Sequence, residues 1–346
     1  MENYSNVCAL VDMISPPPPD ENSTRDFRLD DIYGHMGLTC IPVRDISEDN
    51  VSCLLEYDVI ILPQANADYV KPSWDVYDLV MSTCKNSKFI SIVAAHPHVV
   101  LESGLPYYAM RWLRMVRKVG AIVVTSPHVV GMMRAITDVP TVNINIPVSM
   151  KQVEYRRDVD TGARRGIYVP TYEPSRSGVI TYMIASELSR RYGEPIYGVG
   201  PYTRGAWEPT IAKVAADIGL DVLVDIEEIK WTNHRDEHIG RMSTYKLAIY
   251  LHQLDAYGRN VIDCAVAGLP CVCYEDTNAS RVLYPSTSIT PCRYEQALDI
   301  ADRLFRDRLF YDNVVLTATT NLLEYSYEAA AIKFRSLISS LIQGGS

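Results

Sequence analysis

The stretch Leu247–Tyr274, LAIYLHQLDAYGRNVIDCAVAGLPCVCY, reads as strand, loop, helix, turn and strand. Asp255 stands in the loop, Gly258 at the helix entrance and Asp263 in the second helical turn. Backbone amides and dipole at a helix entrance suit a diphosphate. A carboxylate beside that entrance can accept hydrogen bonds from sugar hydroxyls, and one a turn or two further on can hold vicinal ribose hydroxyls. The residues also allow a plainer reading, in which Asp255 caps the helix and Arg259 pairs with Asp263 across one turn on a solvated face.

Outward from this block, short apolar runs alternate with helical patterns, which predicts an α/β protein with parallel sheets built from βαβ units. Strands are expected at Val7 to Ile14, Thr39 to Val43, Val59 to Leu62, Phe89 to Ala94, Ala121 to Thr125 and Thr141 to Ile146. The polar segment 151–165 lacks an apolar period and reads as a linker between residues 1–150 and 166–320. A second series follows, with strands at Gly166 to Val169, Pro195 to Val199, Val222 to Asp225, Leu247 to Leu251 and Pro270 to Tyr274. Helices are expected at Ser177 to Tyr192, from about Ala206 to Ile218 and at Arg259 to Ala267, and the tail 321–346 is a C-terminal helix free to pack back on the first domain. Two open sheets place the default ligand site at the carboxyl ends of their strands.

The chain has 346 residues, 47% of them hydrophobic, and a net charge of −9. That balance gives no basic footprint, so strong general nucleic-acid binding is not expected. Nothing approaches the roughly 20 apolar residues of a membrane span, and the N-terminus lacks a basic signal head, so a soluble, cytoplasmic protein is expected. Of eight cysteines, Cys8, Cys264, Cys271 and Cys273 lie in core-like runs and read as buried, reduced thiols.

The block around Asp255 resembles the donor signature of the large retaining family of GT-B glycosyltransferases, E-G-F-G followed by a second Glu and A-x-A-x-G-x-P-V. The acid-x7-acid spacing survives as Asp255 and Asp263, each one methylene shorter than the family's Glu. Tyr168 to Gly178, YVPTYEPSRSG, resembles the family's Y-V-G-R-x-x-x-x-K-G, with Arg176 near the Lys position and Thr171 in place of the Arg. VLVDIEEI resembles the strand lining the base pocket, INIPVSMKQVEY the interdomain turn, and SIVAAHPHVV an acceptor-domain strand ending in a functional His, here His96, with His98 two residues on as the alternative. The resemblance implies two Rossmann-like domains facing a central cleft and transfer, with retention, of a sugar from a nucleotide diphosphate sugar. Asp255, His96 and Arg176 would be catalytic. The donor would be held by Thr171, Ser177, Gly178, Ile226, Ala256, Tyr257, Gly258, Arg259 and Asp263. No cofactor or metal is required on this reading, and the acceptor, whether glycan, lipid, protein, small molecule or modified DNA, stays open.

Other signals point elsewhere or nowhere. Pro16 to Pro19 replace the family's Gly-Gly loop, and G-x-G-x-x-G is absent, which disfavours a nicotinamide enzyme. His234 and His238 mimic a metal pair but sit in a strongly polar run, read as a solvated helix face. Arg111, Arg114, Arg117 and Lys118 form a basic stretch that leaves an anionic acceptor open and is more simply one wet helix face. Two rivals to a transferase remain, a non-catalytic GT-B nucleotide- or partner-binding module and a nucleotide-sugar epimerase of the same architecture.

Overall fold

The computed structural model describes residues 5–11, 31–62, 71–93, 106–150, 162–170, 178–199, 226–229, 235–252 and 258–344. These residues divide into two compact units, one running to Val148 and resuming at Glu324, the other spanning Ser149–Leu323.

The first unit holds a six-stranded parallel sheet in the order β2-β1-β3-β4-β5-β6. Its strands are β1 Val7–Val11, β2 Thr39–Pro42, β3 Val59–Leu62, β4 Lys88–Val93, β5 Ala121–Val124 and β6 Thr141–Asn143. β1, β3 and β5 are buried at every position. Strands covered on both faces read as unbroken apolar runs, which is why the sequence shows them. The helices of the unit are α1 Asp31–Met36, α2 Lys71–Thr83, α3 Pro106–Val116 and α4 Pro127–Ile136. Trp112 of α3 and Tyr77 of α2 are enclosed in its core.

The second unit holds six parallel strands in the order β9-β8-β7-β10-β11-β12. They are β7 Ile167–Val169, β8 Ile196–Val199, β9 Ile226–Ile229, β10 Leu247–Tyr250, β11 Cys271–Tyr274 and β12 Ser288–Ile289. Around them lie α5 Gly178–Tyr192, α6 Arg235–Met242, α7 Arg259–Ala267, α8 Asn278–Leu283, α9 Tyr294–Arg306 and α10 Arg308–Asn321. The chain winds outward from β7 through β8 to β9, returns to β10, which pairs with β7, and winds the other way.

The final helix, α11 Tyr327–Gln343, belongs to the first unit. Ser326 caps it by accepting a hydrogen bond from the Ala329 amide at 3.1 Å. Phe334 of α11 meets Tyr33 of α1 edge-on at 6.0 Å. The Val148 amide donates to the Tyr325 carbonyl at 2.7 Å, so the segment leaving the first unit lies beside the segment returning to it.

Eleven expected strands and the structure differ in places. Val222 to Asp225 lies outside the described residues, while the described strand there is Ile226–Ile229. β12, two residues long, carried no readable pattern. The expected helix from Ala206 to Ile218 also lies outside the described residues.

Candidate functional site

In an open parallel sheet the loops at the carboxyl ends of two strands part where the winding reverses, leaving a crevice for a ligand. In the second unit that point lies between β7 and β10. Residues 171–177 follow β7 and residues 253–257 follow β10. Thr171, Arg176 and Ser177 therefore belong to one of these two segments, and Asp255, Ala256 and Tyr257 to the other. All six lie outside the described residues, as does His96, three residues past the end of β4.

The remaining candidates are described. Gly178 is the first residue of α5, so the segment after β7 runs into a helix amino terminus. Gly258 is the residue before α7 and has φ 78° and ψ 47°, a left-handed backbone that glycine adopts without penalty. Among the described residues no side chain caps α7 there, and no carboxylate in its first turn offsets the positive end of the helix dipole. Arg259 opens the helix.

Asp263 is 3% exposed. Arg259 Nε lies 3.9 Å from its Oδ2, so the one-turn pair exists, but not on the solvated face the plainer reading assumed. Seven consecutive residues of α7, Val261 to Ala267, are buried, because α6 and α8 pack beside it. A helix enclosed on all sides is a rigid mount for what stands at its start. Tyr168 of β7 is near Asp263 and Cys264, and burial, followed by those two groups, pushes its phenol well above the usual range. It stays a neutral hydrogen-bonding group on the strand flanking the reversal.

Ile226 is the first described residue of β9 and pairs with Ile196, the first residue of β8, three residues from Ile229 at the other described end of the strand.

The histidine expectation changes too. His234 lies outside the described residues, and His238, expected on a solvated face, is half-buried with its ring edge-on to Tyr168 at 6.3 Å. Among the described residues no group of three or more His, Cys, Asp or Glu is arranged to hold a metal ion. All eight cysteines are free. Cys264, Cys271 and Cys273 are buried, as the sequence implied, and burial first of all raises the thiols of Cys271 and Cys273, which keeps them protonated.

No protein-family model matches the chain, and no curated protein does. Solved structures do. A TarM variant from S. aureus, in complex with fondaparinux, α-GlcNAc-glycerol and UDP, has a TM-score of 0.60 at 15% identity, covering 82% of this chain. This chain spans 55% of the length of that TarM chain. An E. coli trehalose-6-phosphate structure bound with UDP-2-fluoro glucose gives 0.62 at 10% identity, covering 84% of this chain and 76% of the other. Anabaena HepE in complex with UDP-glucose gives 0.60 at 12%, covering 90% and 88%. The fold is GT-B.

This GT-B chain has two further residues at or behind the site that the sequence did not single out. His252, 7% exposed, stands two residues past β10 with its ring stacked on Tyr250 at 5.3 Å. Arg164, 2% exposed, closes the far end of α7. Its guanidinium donates to the Gly268 carbonyl, to the Ala267 carbonyl at 3.5 Å and to the Tyr311 hydroxyl at 3.2 Å. The sequence placed Arg164 in a linker, and only folding shows its partner 104 positions away.

Proposed function

We propose that the chain is a glycosyltransferase that moves a sugar from a nucleotide diphosphate donor to an acceptor hydroxyl, with retention. One observation carries the reading. The two segments bearing the carboxylate Asp255 and the cation Arg176 follow the adjacent strands at which the second sheet reverses its winding, and the first of these segments leads into helix α7. The donors bound to the structural neighbours, UDP-glucose and UDP-2-fluoro glucose, fit this chemistry.

In this scheme the second unit binds the donor and the first the acceptor. Asp263 holds the ribose, while Arg176 and the amides at the start of α7 hold the diphosphate. Asp255 orients the sugar, and His96 is assigned to the reacting centre. The bond between the anomeric carbon and the diphosphate oxygen breaks as the acceptor oxygen bonds to that carbon. The acceptor proton passes to the departing phosphate oxygen. Cations and fixed dipoles aimed at the leaving diphosphate act where charge develops, so they favour the transition state over the bound donor.

The test pairs binding with turnover in Asp255→Ala. Near-parental affinity for a nucleoside diphosphate with loss of most transfer supports the scheme. A lowered melting temperature with activity intact makes Asp255 structural. No transfer from any donor by the parent, despite nucleotide binding, makes the chain a binding module.

A further inference from the structure

The amino edge of the first sheet carries a cavity of about 600 Å3, at the opposite end of β4 from the segment that contains His96. Its size falls within the roughly 300–1,000 Å3 usual for small-molecule sites. Met115, Val119 and Phe89, all buried, supply apolar wall. Four exposed cations line it, Lys85 from the turn between α2 and β4, Lys88 from the start of β4, and Arg114 and Lys118 from the end of α3 and the turn after it.

The basic stretch noted in the sequence splits in the fold. Arg111 turns away, donating to Asp75 at 2.6 Å and to Asp78 at 2.6 Å. Arg117 donates to the Ile136 carbonyl at 3.3 Å. Asp78, the acid of the cavity lining, is thereby engaged by Arg111. Among the described residues no ion pair engages Lys85, Lys88, Arg114 or Lys118. Helix dipoles favour a cation at the end of α2 and at the end of α3 separately. They give no reason for both ends and the start of a strand to open on one concavity. Like charges gathered around an apolar wall repel one another and focus a positive potential into the space between them.

We propose that this cavity is a second ligand site, one for a small, soluble polyphosphorylated molecule whose phosphates are held by Lys85, Lys88, Arg114 and Lys118. β4 runs six residues from Lys88 before the segment with His96 begins, about 20 Å of strand, so the cavity is a site separate from that segment. Phosphates suit the rim because Arg can take two oxygens at once while Lys supplies compact point charges.

Calorimetric titration of the full chain with inorganic tripolyphosphate tests the proposal. The parent is expected to bind, more weakly as salt rises, because exposed charges are screened. Arg114→Glu with Lys118→Glu should weaken binding at least tenfold, and Lys85→Gln with Lys88→Gln, changed on the neighbouring turn and strand start, should do so independently should the first pair disturb folding. Arg117→Glu should leave affinity parental. Binding absent from the parent, undiminished in the paired variants or equally lost in Arg117→Glu would overturn the site. So would capture of the parent by phosphatidylglycerol vesicles without binding of tripolyphosphate, which would make this face a membrane contact.

Discussion

A Cβ placed on Gly258 would stand 2.7 Å from Oγ1 of Thr277 and 2.9 Å from the Cβ of Ala279. The Thr277 hydroxyl is not free to yield, since it accepts from the Ser280 amide at 3.1 Å as the cap of α8 and lies 2.7 Å from the Ser280 hydroxyl. Gly258→Ala therefore meets both a left-handed backbone and a crowded neighbour. It is expected to cost about 2–4 kcal/mol by urea denaturation. A loss under 0.5 kcal/mol, on the order of an ordinary surface change, would mean that the start of α7 moves easily, and a diphosphate site there would lose its rigid mount.

Asp263→Asn keeps the side-chain shape and removes the charge. On the proposed function, nucleoside diphosphate affinity falls about tenfold or more, since a hydrogen bond to a charged group contributes roughly 1.5–3 kcal/mol. The melting temperature should change little. An Asp263 that serves only Arg259 gives the reverse result, with parental affinity and a stability change matched by Arg259→Gln.

Arg164→Met leaves the carbonyls of Ala267 and Gly268 without their buried donor. Tyr311, which donates to the Lys246 carbonyl at 3.0 Å, loses its neighbour as well. A loss of about 2–4 kcal/mol is expected. Arg164→Lys should recover only part of it, because an ammonium cannot reproduce the planar fork that reaches three oxygens. Equal stability of parent and Arg164→Met would mean that water takes over the end of α7.

Asp302 joins α5 to α9, accepting from the Tyr192 hydroxyl at 2.6 Å and pairing with Arg191 at 3.2 Å and Arg306 at 3.1 Å. The Tyr192 hydrogen bond, then the two guanidinium groups, hold its carboxyl below the usual range against a modest desolvation penalty. A folded-state pKa below the unfolded one gives stability that is present above about pH 4 and is lost as the pH falls through the folded value. Asp302→Asn should lower the melting temperature at pH 7 by the equivalent of about 1 kcal/mol and flatten its decline below pH 4. An acid limb identical to the parent's would remove Asp302 from the acid response.

Much of the fold was legible because covered strands must be apolar. α7 was read end to end, Arg259 to Ala267, because Gly258 and Gly268 bracket it, both in the left-handed conformation. Other features depend on contacts distant in sequence. The burial of Asp263 follows from α6 and α8, which the pairing with Arg259 gave no sign of. The cap supplied by Arg164 and the cation cluster drawn from two stretches some thirty positions apart carry no local signature. His252, in contrast, stands in plain view three residues before Asp255, yet a lone histidine in an apolar run has no period to mark it.

The return of α11 to the first unit has a topological consequence. The second unit is an insertion between Val148 and Glu324, and both crossings meet at the pairing of Val148 with Tyr325. A single proteolytic nick between residues 151 and 161 would thus yield two fragments that each hold part of the first unit, with Tyr33 on one and its edge-on partner Phe334 on the other. Such fragments are expected to co-elute under native conditions and to separate in denaturant, so a nicked preparation would pass for intact protein until it is unfolded.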